Sequence, residues 1–162
     1  MVARGDMLTA TGNMDWIEIM AVLQGASTMA MLGVIWVVQL CVYPRFADLD
    51  PEKFVGAHLR HCAGIGLVVA PLMLTELFTA IFLVWAGNGG RVQWLVLALT
   101  LCTFLSTAFI QAPCHRRLMQ GYDEARCRSL TCGNWIRTGL WSVKALLVFA
   151  LAIAPYCNQT PR

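Results

Sequence analysis

Charged residues are scarce in this sequence. Asp, Glu, Lys and Arg make up 13% of the 162 residues, whereas apolar side chains make up 58%. Soluble domains carry roughly a quarter charged and about half apolar residues. The balance excludes an ordinary soluble domain and indicates a membrane protein of single-domain length. The net charge of +3 is too small, and the basic residues are too scattered, to predict nucleic acid as a partner.

The motifs of several protein classes are missing as well. The seven cysteines are odd in number and include no Cys-x-x-Cys pair, which argues against a disulfide framework. No nucleophile elbow, phosphate-binding loop or zinc-protease helix occurs, so hydrolysis and phosphoryl transfer are disfavoured. No basic region leads directly into a short apolar core at the N-terminus, and the first apolar run is therefore interpreted as a retained span.

What the sequence does contain is four long apolar runs, at about 16–42, 63–85, 92–110 and 135–154. Each has roughly the 20 apolar residues that cross about 30 Å of hydrocarbon. The short turn after the second run returns the third beside it. We therefore expect an all-α protein, an integral membrane four-helix bundle with up-down antiparallel topology in one membrane domain, 1–162. The second helix should be long, starting near Pro51, and the loop between spans three and four should be helical.

Two further features predict how the bundle is arranged. Gly25, Ala26, Ala30 and Gly33 make part of the first span small, and we expect that side to face protein. Basic residues cluster in the loops after spans one and three, which by the positive-inside rule are cytoplasmic. This places both termini outside the cytoplasm of a bacterial inner (plasma) membrane. The eight clustered basic residues are Arg45, Lys53, Arg60, Arg116, Arg117, Arg126, Arg128 and Arg137, against Arg4, Arg91 and Arg162 on the other side.

The three histidines all fall at the predicted cytoplasmic end. His58 and His61 are three residues apart on the second helix and share a face, and His115 follows span three. Imidazole accepts protons near neutral pH, and a guanidinium stabilises a developing oxyanion. We therefore predict catalytic roles for these three histidines and for Arg137.

Polar side chains inside the spans are the predicted substrate-binding groups, because such residues are costly in lipid and face the bundle interior. Asn134, Arg137, Trp141 and Lys144 recur at helical spacing and form one stripe on span four. Glu76, deep in the second span, should be protonated or paired, and it acts either as a proton carrier or as a structural tie. The predicted binding set is Glu76, Gln111, Asn134, Trp141 and Lys144.

Cofactors stay open at the level of sequence. Five cysteines lie near the same mouth as the histidines, namely Cys41, Cys62, Cys114, Cys127 and Cys132. Thiolates and imidazoles suit a soft metal, but because no closely spaced ligand motif is present, no metal site is assigned. Haem b bound through one or two histidines is the other alternative.

Short motifs resemble those of a known family. The first span ends in VYPRF, the third leads into IQAPCHRRL, and the fourth begins NWIRTGLWSVKALL. This order is similar to that of the anthrone-oxygenase-like four-helix membrane proteins, a family of largely uncharacterised integral membrane domains. Pro113, His115 and Leu118 stand at that family's first motif, with His115 where asparagine is usual, and Trp135 and Arg137 stand at the second.

The family resemblance implies an oxygenase-like oxidoreductase acting on an aromatic or lipophilic substrate. A more distant likeness, to the haem-binding protoporphyrinogen oxidase of bacteria, lacks that protein's first-span histidine, since no histidine precedes His58. Whether the protein is an enzyme stays open. The alternative is a non-enzymatic membrane protein that binds haem, a lipid or a partner protein, and transport is a third class. The expected partners are the lipid bilayer and a hydrophobic small molecule, and a homo-oligomer is possible by assembly of the spans.

Overall fold

The structure is a computed structural model that describes residues 15–86 and 90–157, with side chains up to residue 153. Within these ranges the chain is helical and has no strand. The helices are α1 (Trp16–Val37), α2 (Pro51–Ala86), α3 (Arg91–Ser106), α4 (Ala112–Leu118) and α5 (Glu124–Cys157). A π-helical turn, Val38–Val42, and a 3₁₀ turn, Pro44–Asp48, continue α1, while a second π-helical turn, Thr107–Gln111, joins α3 to α4.

Four helical stretches are long and apolar enough to cross a membrane: Trp16–Asp48, Pro51–Ala86, Arg91–Leu118 and Glu124–Ile153. Large apolar side chains such as Leu67 and Phe109 are 80% and 74% exposed, respectively. So much outward apolar surface fits a lipid environment and not water. The predicted fold class, an all-α four-helix membrane bundle, is confirmed, and the protein is polytopic.

Prolines do not end the helices where they occur. Pro71 lies inside α2, which continues unbroken, and Pro44 and Pro113 each follow a π-helical turn within two residues. A proline ring clashes with the carbonyl four residues earlier in a regular α-helix. The wider turn relieves this clash, because Tyr43 N–H bonds the carbonyl of Val38, five residues back, at 3.0 Å. Helical structure therefore continues past Ile110, where we expected span three to end, as far as Leu118.

The side of α1 that packs against the bundle differs from the predicted one. The buried residues of this helix are Gln24, Ser27, Thr28, Met31 and Ile35. Ala26, Ala30 and Gly33 are exposed. The prediction that the small side faces protein is wrong for these three residues within the single chain. The hydroxyl and amide side chains of α1 pack inward because hydrocarbon offers them no hydrogen-bond partner, and this orientation turns the small residues outward.

A fully buried ion pair ties the four long helices together near mid-span. Lys144 Nζ of α5 lies 2.7 Å from Glu76 Oε1 of α2, and both side chains are 0% exposed. Thr28 of α1 donates to Glu76 Oε1 at 2.9 Å, and Trp141 Nε1 donates to Oε2 at 3.0 Å. Lys144 also donates to Thr100 Oγ1 of α3, at 3.4 Å. We call this group the ion-pair layer. Of the two alternatives predicted for Glu76, protonated or paired, the structure shows the paired side chain.

The ion-pair layer predicts a large stability effect for single substitutions. Lys144→Met leaves the Glu76 carboxylate buried without its partner, which should cost about 3 kcal/mol. The double variant with Glu76→Gln removes both charges and should recover most of the loss. The thermal midpoints of the parent protein, Lys144→Met and the double variant are compared in detergent, with the folded fraction after heating measured by size-exclusion chromatography. A double variant no more stable than Lys144→Met would contradict this role.

The exposed pair between Arg128 and Glu124, one turn apart on α5, provides the matched control. Exposed ion pairs contribute about 0–1 kcal/mol, because water screens them and their side chains lose entropy. Arg128→Gln should therefore leave the thermal midpoint within a few degrees of the parent protein.

Candidate functional site

Two histidines and a cysteine converge at one end of the bundle. His115 Nδ1 lies 3.2 Å from His58 Nε2, and Cys62 Sγ lies 3.5 Å from each of these two nitrogens. His61 is adjacent, with its ring centroid 6.2 Å from that of His115. These four residues form the histidine cluster, which contains every histidine of the chain.

The helices explain why the cluster forms. His58 and Cys62 are four residues apart on α2 and therefore lie one above the other on the same face. His115 comes from α4, the short helix that continues α3 beyond the π-helical turn. Tyr43, at the end of α1, fixes the His115 ring, since its hydroxyl lies 3.0 Å from His115 Nε2.

Aromatic rings cover the cluster on its outer side. Phe54 stacks on His58 with ring centroids 5.3 Å apart and an interplanar angle of 14°. Phe46 meets His58 and His61 edge-on, at 5.1 and 5.2 Å. His58 is 0% exposed. The ring nitrogens His58 Nδ1 and His61 Nε2 are nevertheless buried without a hydrogen-bond partner, an arrangement that native structures rarely leave without a role.

A cavity of about 410 Å³ lies beside the cluster, between α1, α2, α4 and α5. Its walls are mostly apolar with a smaller set of polar groups, the pattern of small-molecule sites. Ala70 and Arg116 are exposed and mark the rim. The polar lining consists of Tyr43, Cys62, Thr107, Gln111, His115, Arg116 and Arg137. We call this the central cavity.

Arg137 is the dominant charge at the central cavity. It is 6% exposed, and no carboxylate lies within ion-pair distance of it among the residues described. Its Nη1 donates to Asn134 Oδ1 at 3.2 Å, its guanidinium lies 5.2 Å from the Trp141 ring centroid, and its Nε is unpartnered. Asn134 is held in turn by Gln39, whose Oε1 accepts its amide hydrogen at 2.8 Å. The site therefore carries a buried positive charge that a bound anion would stabilise.

Gln111 lies on the π-helical turn and also faces the central cavity. Both its amide nitrogen and its amide oxygen are buried without partners. Gly133 of α5 makes room for it, since a Cβ there would lie 3.3 Å from Gln111 Nε2 and 2.8 Å from Ile110 Cγ2. A buried, unpaired amide beside a guanidinium offers a guest both a donor and an acceptor.

The structure separates the predicted site residues into two groups. His58, His61 and His115 meet in the histidine cluster, and Gln111 and Arg137 lie beside it at the central cavity. Asn134 supports Arg137 from behind. Glu76, Trp141 and Lys144 belong to the ion-pair layer and do not line the cavity. Met31 on α1 and Met73 on α2 line the central cavity and also pack against Trp141.

Sequence reasoning did not select Tyr43 and Cys62 as site residues. The sequence placed Tyr43 in the VYPRF motif directly before Pro44, and it placed Cys62 among five cysteines near the histidines, four residues after His58. Neither signal reveals that both side chains meet His115, which lies 72 residues from Tyr43 and 53 residues from Cys62 in sequence.

A larger cavity, of about 570 Å³, lies at the opposite end of the bundle, bordered by Glu18, Gln24, Gln93 and otherwise apolar residues. The polar atoms of Gln24 are already engaged, since its amide donates to Thr28 and accepts from Thr79. Among the described residues, the buried polar atoms without partners include those of Gln111 and Arg137 at the central cavity and of His58 and His61 in the adjacent histidine cluster, which makes the central cavity the stronger candidate site.

Haem between two histidines does not fit the cluster as it stands. Axial nitrogens on opposite sides of an iron are separated by two metal–nitrogen bonds, roughly 4 Å. His58 Nε2 and His115 Nδ1 are 3.2 Å apart and within hydrogen-bond reach of each other. A porphyrin plane has no room between them.

The contact between Tyr43 and His115 predicts a specific spectroscopic change. Because the chain has only three histidines, ¹⁵N-histidine labelling resolves each imidazole by NMR. Tyr43→Phe should shift one Nε2 resonance strongly, since that nitrogen loses its hydroxyl partner. Tyr122→Phe is the control, because the Tyr122 hydroxyl donates to the Ala47 carbonyl instead. Equal shifts in both variants, or none in Tyr43→Phe, would contradict the geometry.

Comparison of the chain with models of protein families, with curated proteins and with solved structures found no match, so the site is interpreted from its own geometry.

Proposed function

We propose that the protein binds a lipophilic small molecule with an acidic group in the central cavity and acts on it as an oxygenase-like oxidoreductase. The observation that carries the proposal is the buried, acid-free guanidinium of Arg137 at an apolar cavity. A charge in such surroundings is costly unless a counter-charge reaches it. A phenolate, enolate or carboxylate on a hydrophobic body would supply that charge and fill the apolar volume.

Tyr43 and His115 supply a route for the proton of such a guest. Both line the central cavity, and the Tyr43 hydroxyl is hydrogen-bonded to His115 Nε2. Tyr43 Oη can receive a proton from the guest while its own proton passes to the imidazole. Arg137 would then stabilise the anion that remains. His58 and His61 keep their predicted catalytic roles as neighbours of His115.

The reaction class rests on the resemblance to anthrone-oxygenase-like proteins. Removal of a proton from an acidic aromatic carbon acid gives an electron-rich anion that dioxygen can oxidise. For anthrone, insertion of one oxygen atom at the methylene carbon produces anthraquinone, and the other oxygen atom leaves as water. The cavity residues named above provide binding, proton removal and charge stabilisation for that chemistry.

The orientation in the membrane is part of the proposal. The histidine cluster lies at the same end as most of the basic residues, among them Arg45 of the 3₁₀ turn, Arg116 and Arg117 of α4, and Arg126 and Arg128 in the first turns of α5. By the positive-inside rule this end faces the cytoplasm of a bacterial inner membrane, with both termini outside. The guest would enter from the cytoplasmic leaflet, past Ala70 and Arg116 at the rim. Exposed Ala26, Ala30 and Gly33 offer a close-packing surface for a second copy in a homo-oligomer.

Binding is tested with a hydroxyanthraquinone, a planar and lipophilic phenol whose absorbance changes on ionisation. The protein in lipid nanodiscs should bind the dye in its ionised form. Arg137→Gln should weaken binding at least about tenfold, because a charge-assisted hydrogen bond is lost. Arg128→Gln, an exposed arginine of the same helix, should bind within about twofold of the parent protein. Equal affinities for all three proteins would overturn the anion-binding role.

Turnover is tested with anthrone and dioxygen in the same nanodiscs. The parent protein should raise the rate of anthraquinone formation and of oxygen uptake, in a ratio of one to one, above that of empty nanodiscs. His115→Ala and Arg137→Ala should each lower the protein-dependent rate at least about 100-fold, the scale of general-base and oxyanion contributions. Unchanged rates in both variants would refute the catalytic assignment. Dye binding without turnover in the parent protein would refute the oxidoreductase activity and show that the protein only binds its guest.

A further inference from the structure

Three atoms of the histidine cluster have the spacing of ligands around a metal ion: His58 Nε2, Cys62 Sγ and His115 Nδ1. A tetrahedral ion with bonds of about 2.0–2.1 Å to nitrogen and about 2.3 Å to sulfur places two nitrogens roughly 3.3 Å apart and each nitrogen roughly 3.6 Å from sulfur. The observed separations are 3.2 Å between the nitrogens and 3.5 Å from each of them to Cys62 Sγ. The three atoms therefore have the spacing of one face of a tetrahedron around such an ion.

We propose that His58 Nε2, Cys62 Sγ and His115 Nδ1 bind a borderline or soft transition-metal ion of the Zn²⁺ class. The three residues group at ligand distance from one another in the structure. Two imidazoles and a thiolate suit Zn²⁺, Co²⁺ or Cu⁺, and they exclude Mg²⁺ and Ca²⁺, which prefer oxygen ligands. The sequence alone led to no metal assignment, because it has no closely spaced ligand motif, and His115 joins the other two ligands only through the fold.

The surroundings resemble the outer sphere of a metal site. Metal-bound histidines commonly hydrogen-bond through their second nitrogen, which fixes the tautomer and the ring. Nε2 of His115 meets Tyr43 in this way, at 3.0 Å. Phe54 holds His58 by stacking, and two of the three ligands come from α2, a rigid helix. The ligand positions are therefore set before a metal arrives.

Binding can be written with its protons balanced. Three bonds form, from the ion to His58 Nε2, to His115 Nδ1 and to Cys62 Sγ. The Cys62 thiol proton leaves to solvent, so one proton is released for each metal bound. In the metal-bound state His58 carries its proton on Nδ1, the nitrogen that lies away from the ion, and His115 carries its proton on Nε2, which donates to the Tyr43 hydroxyl. The transfer of a proton from Tyr43 to His115 Nε2 in the proposed function belongs to the metal-free protein, in which His115 Nδ1 carries the ring proton.

The fourth coordination position should be open. Three protein ligands with a vacant position are typical of catalytic and not of closed structural metal sites. Cys62 and His115 both line the central cavity, so the vacant position can be reached by a guest there. His61 Nε2, buried without a partner, is the protein group nearest in kind to a fourth ligand, but its ring is 6.4 Å from that of His58 and so lies off the ligand triangle.

The metal site is tested with Co²⁺ alone, a spectroscopic substitute for Zn²⁺. The reduced, metal-free, untagged protein in detergent should bind one Co²⁺ per chain. It should then show the visible bands of tetrahedral cobalt and a near-ultraviolet thiolate-to-cobalt band. Added Zn²⁺ should remove both in a one-to-one ratio. Absence of these bands at saturating Co²⁺ would overturn the proposal.

Substitutions identify the ligands. Cys62→Ser should abolish the thiolate band, and His58→Gln should weaken Co²⁺ binding at least about 100-fold, beyond the 10–100-fold typical of outer-sphere changes. Cys114→Ser is the matched control, since Cys114 is half-buried like Cys62 but packs against the apolar core near Phe54. A thiolate band that persists in Cys62→Ser, or is lost equally in Cys114→Ser, would overturn the ligand assignment.

Tyr43→Phe separates ligands from their support. The band should remain and the affinity should fall about tenfold, because the tyrosine orients His115 without touching the ion. These readouts need no substrate and no dye. Failure of cobalt binding therefore bears on the metal site alone, and failure of dye binding at Arg137 bears on the proposed function alone.

Discussion

The buried pair of Glu76 and Lys144 is the interaction on which the bundle most depends. Hydrocarbon cannot solvate a charge, so each of these ions exists in the span only because the other is 2.7 Å away. Thr28 and Thr100 complete the hydrogen bonding from the two remaining long helices. One polar layer thus sets the register of four helices whose other contacts are mostly apolar and weakly directional. Helices that slid past one another by a turn would leave a bare charge in the membrane.

Arg137 lies two turns from Lys144 on the same side of α5, yet its situation is the opposite. Lys144 has a carboxylate, whereas Arg137 has an amide and the face of an indole. Cation–π and amide contacts lower the cost of burying a guanidinium but do not neutralise it. The buried cation in the middle of the bundle, Lys144, is therefore paired with a carboxylate, whereas the buried cation at the histidine end, Arg137, has none among the described residues. This asymmetry, and not cavity size, distinguishes the candidate site from the larger cavity at the opposite end.

Two prolines help to build that end. Pro44 and Pro113 would each break a regular helix, and each is preceded by a π-helical turn. A π-helical turn carries one extra residue, which rotates the side chains that follow it relative to those before. The turns therefore aim Tyr43 and Gln111 at the central cavity. Departures from ideal geometry in both spans fall at the same level of the bundle, beside the residues with unpaired polar atoms.

The sequence determined those features of the fold and of the candidate site that depend on interactions between residues close together in the chain. Long apolar runs and few charges were enough for four membrane helices, and the spacing of Asn134, Arg137, Trp141 and Lys144 was enough to place them on one inward stripe. Helical periodicity also puts His58 on the same face as Cys62. These features depend on residues within a few turns of one another.

Tertiary structure decided the partners. The sequence could not show that Lys144 pairs with Glu76 while Arg137 faces a cavity, since both are cations on the same stripe. Nor could it show that the polar side of α1, and not its small side, packs inward. Tyr43 contacts His115, and His115 contacts His58 and Cys62 of α2. These contacts depend on how the chain packs after the two π-helical turns, one before Tyr43 and one before α4. Contacts between distant segments are set by the joint packing and polar pairing of all the helices, and no single stretch of sequence contains that information.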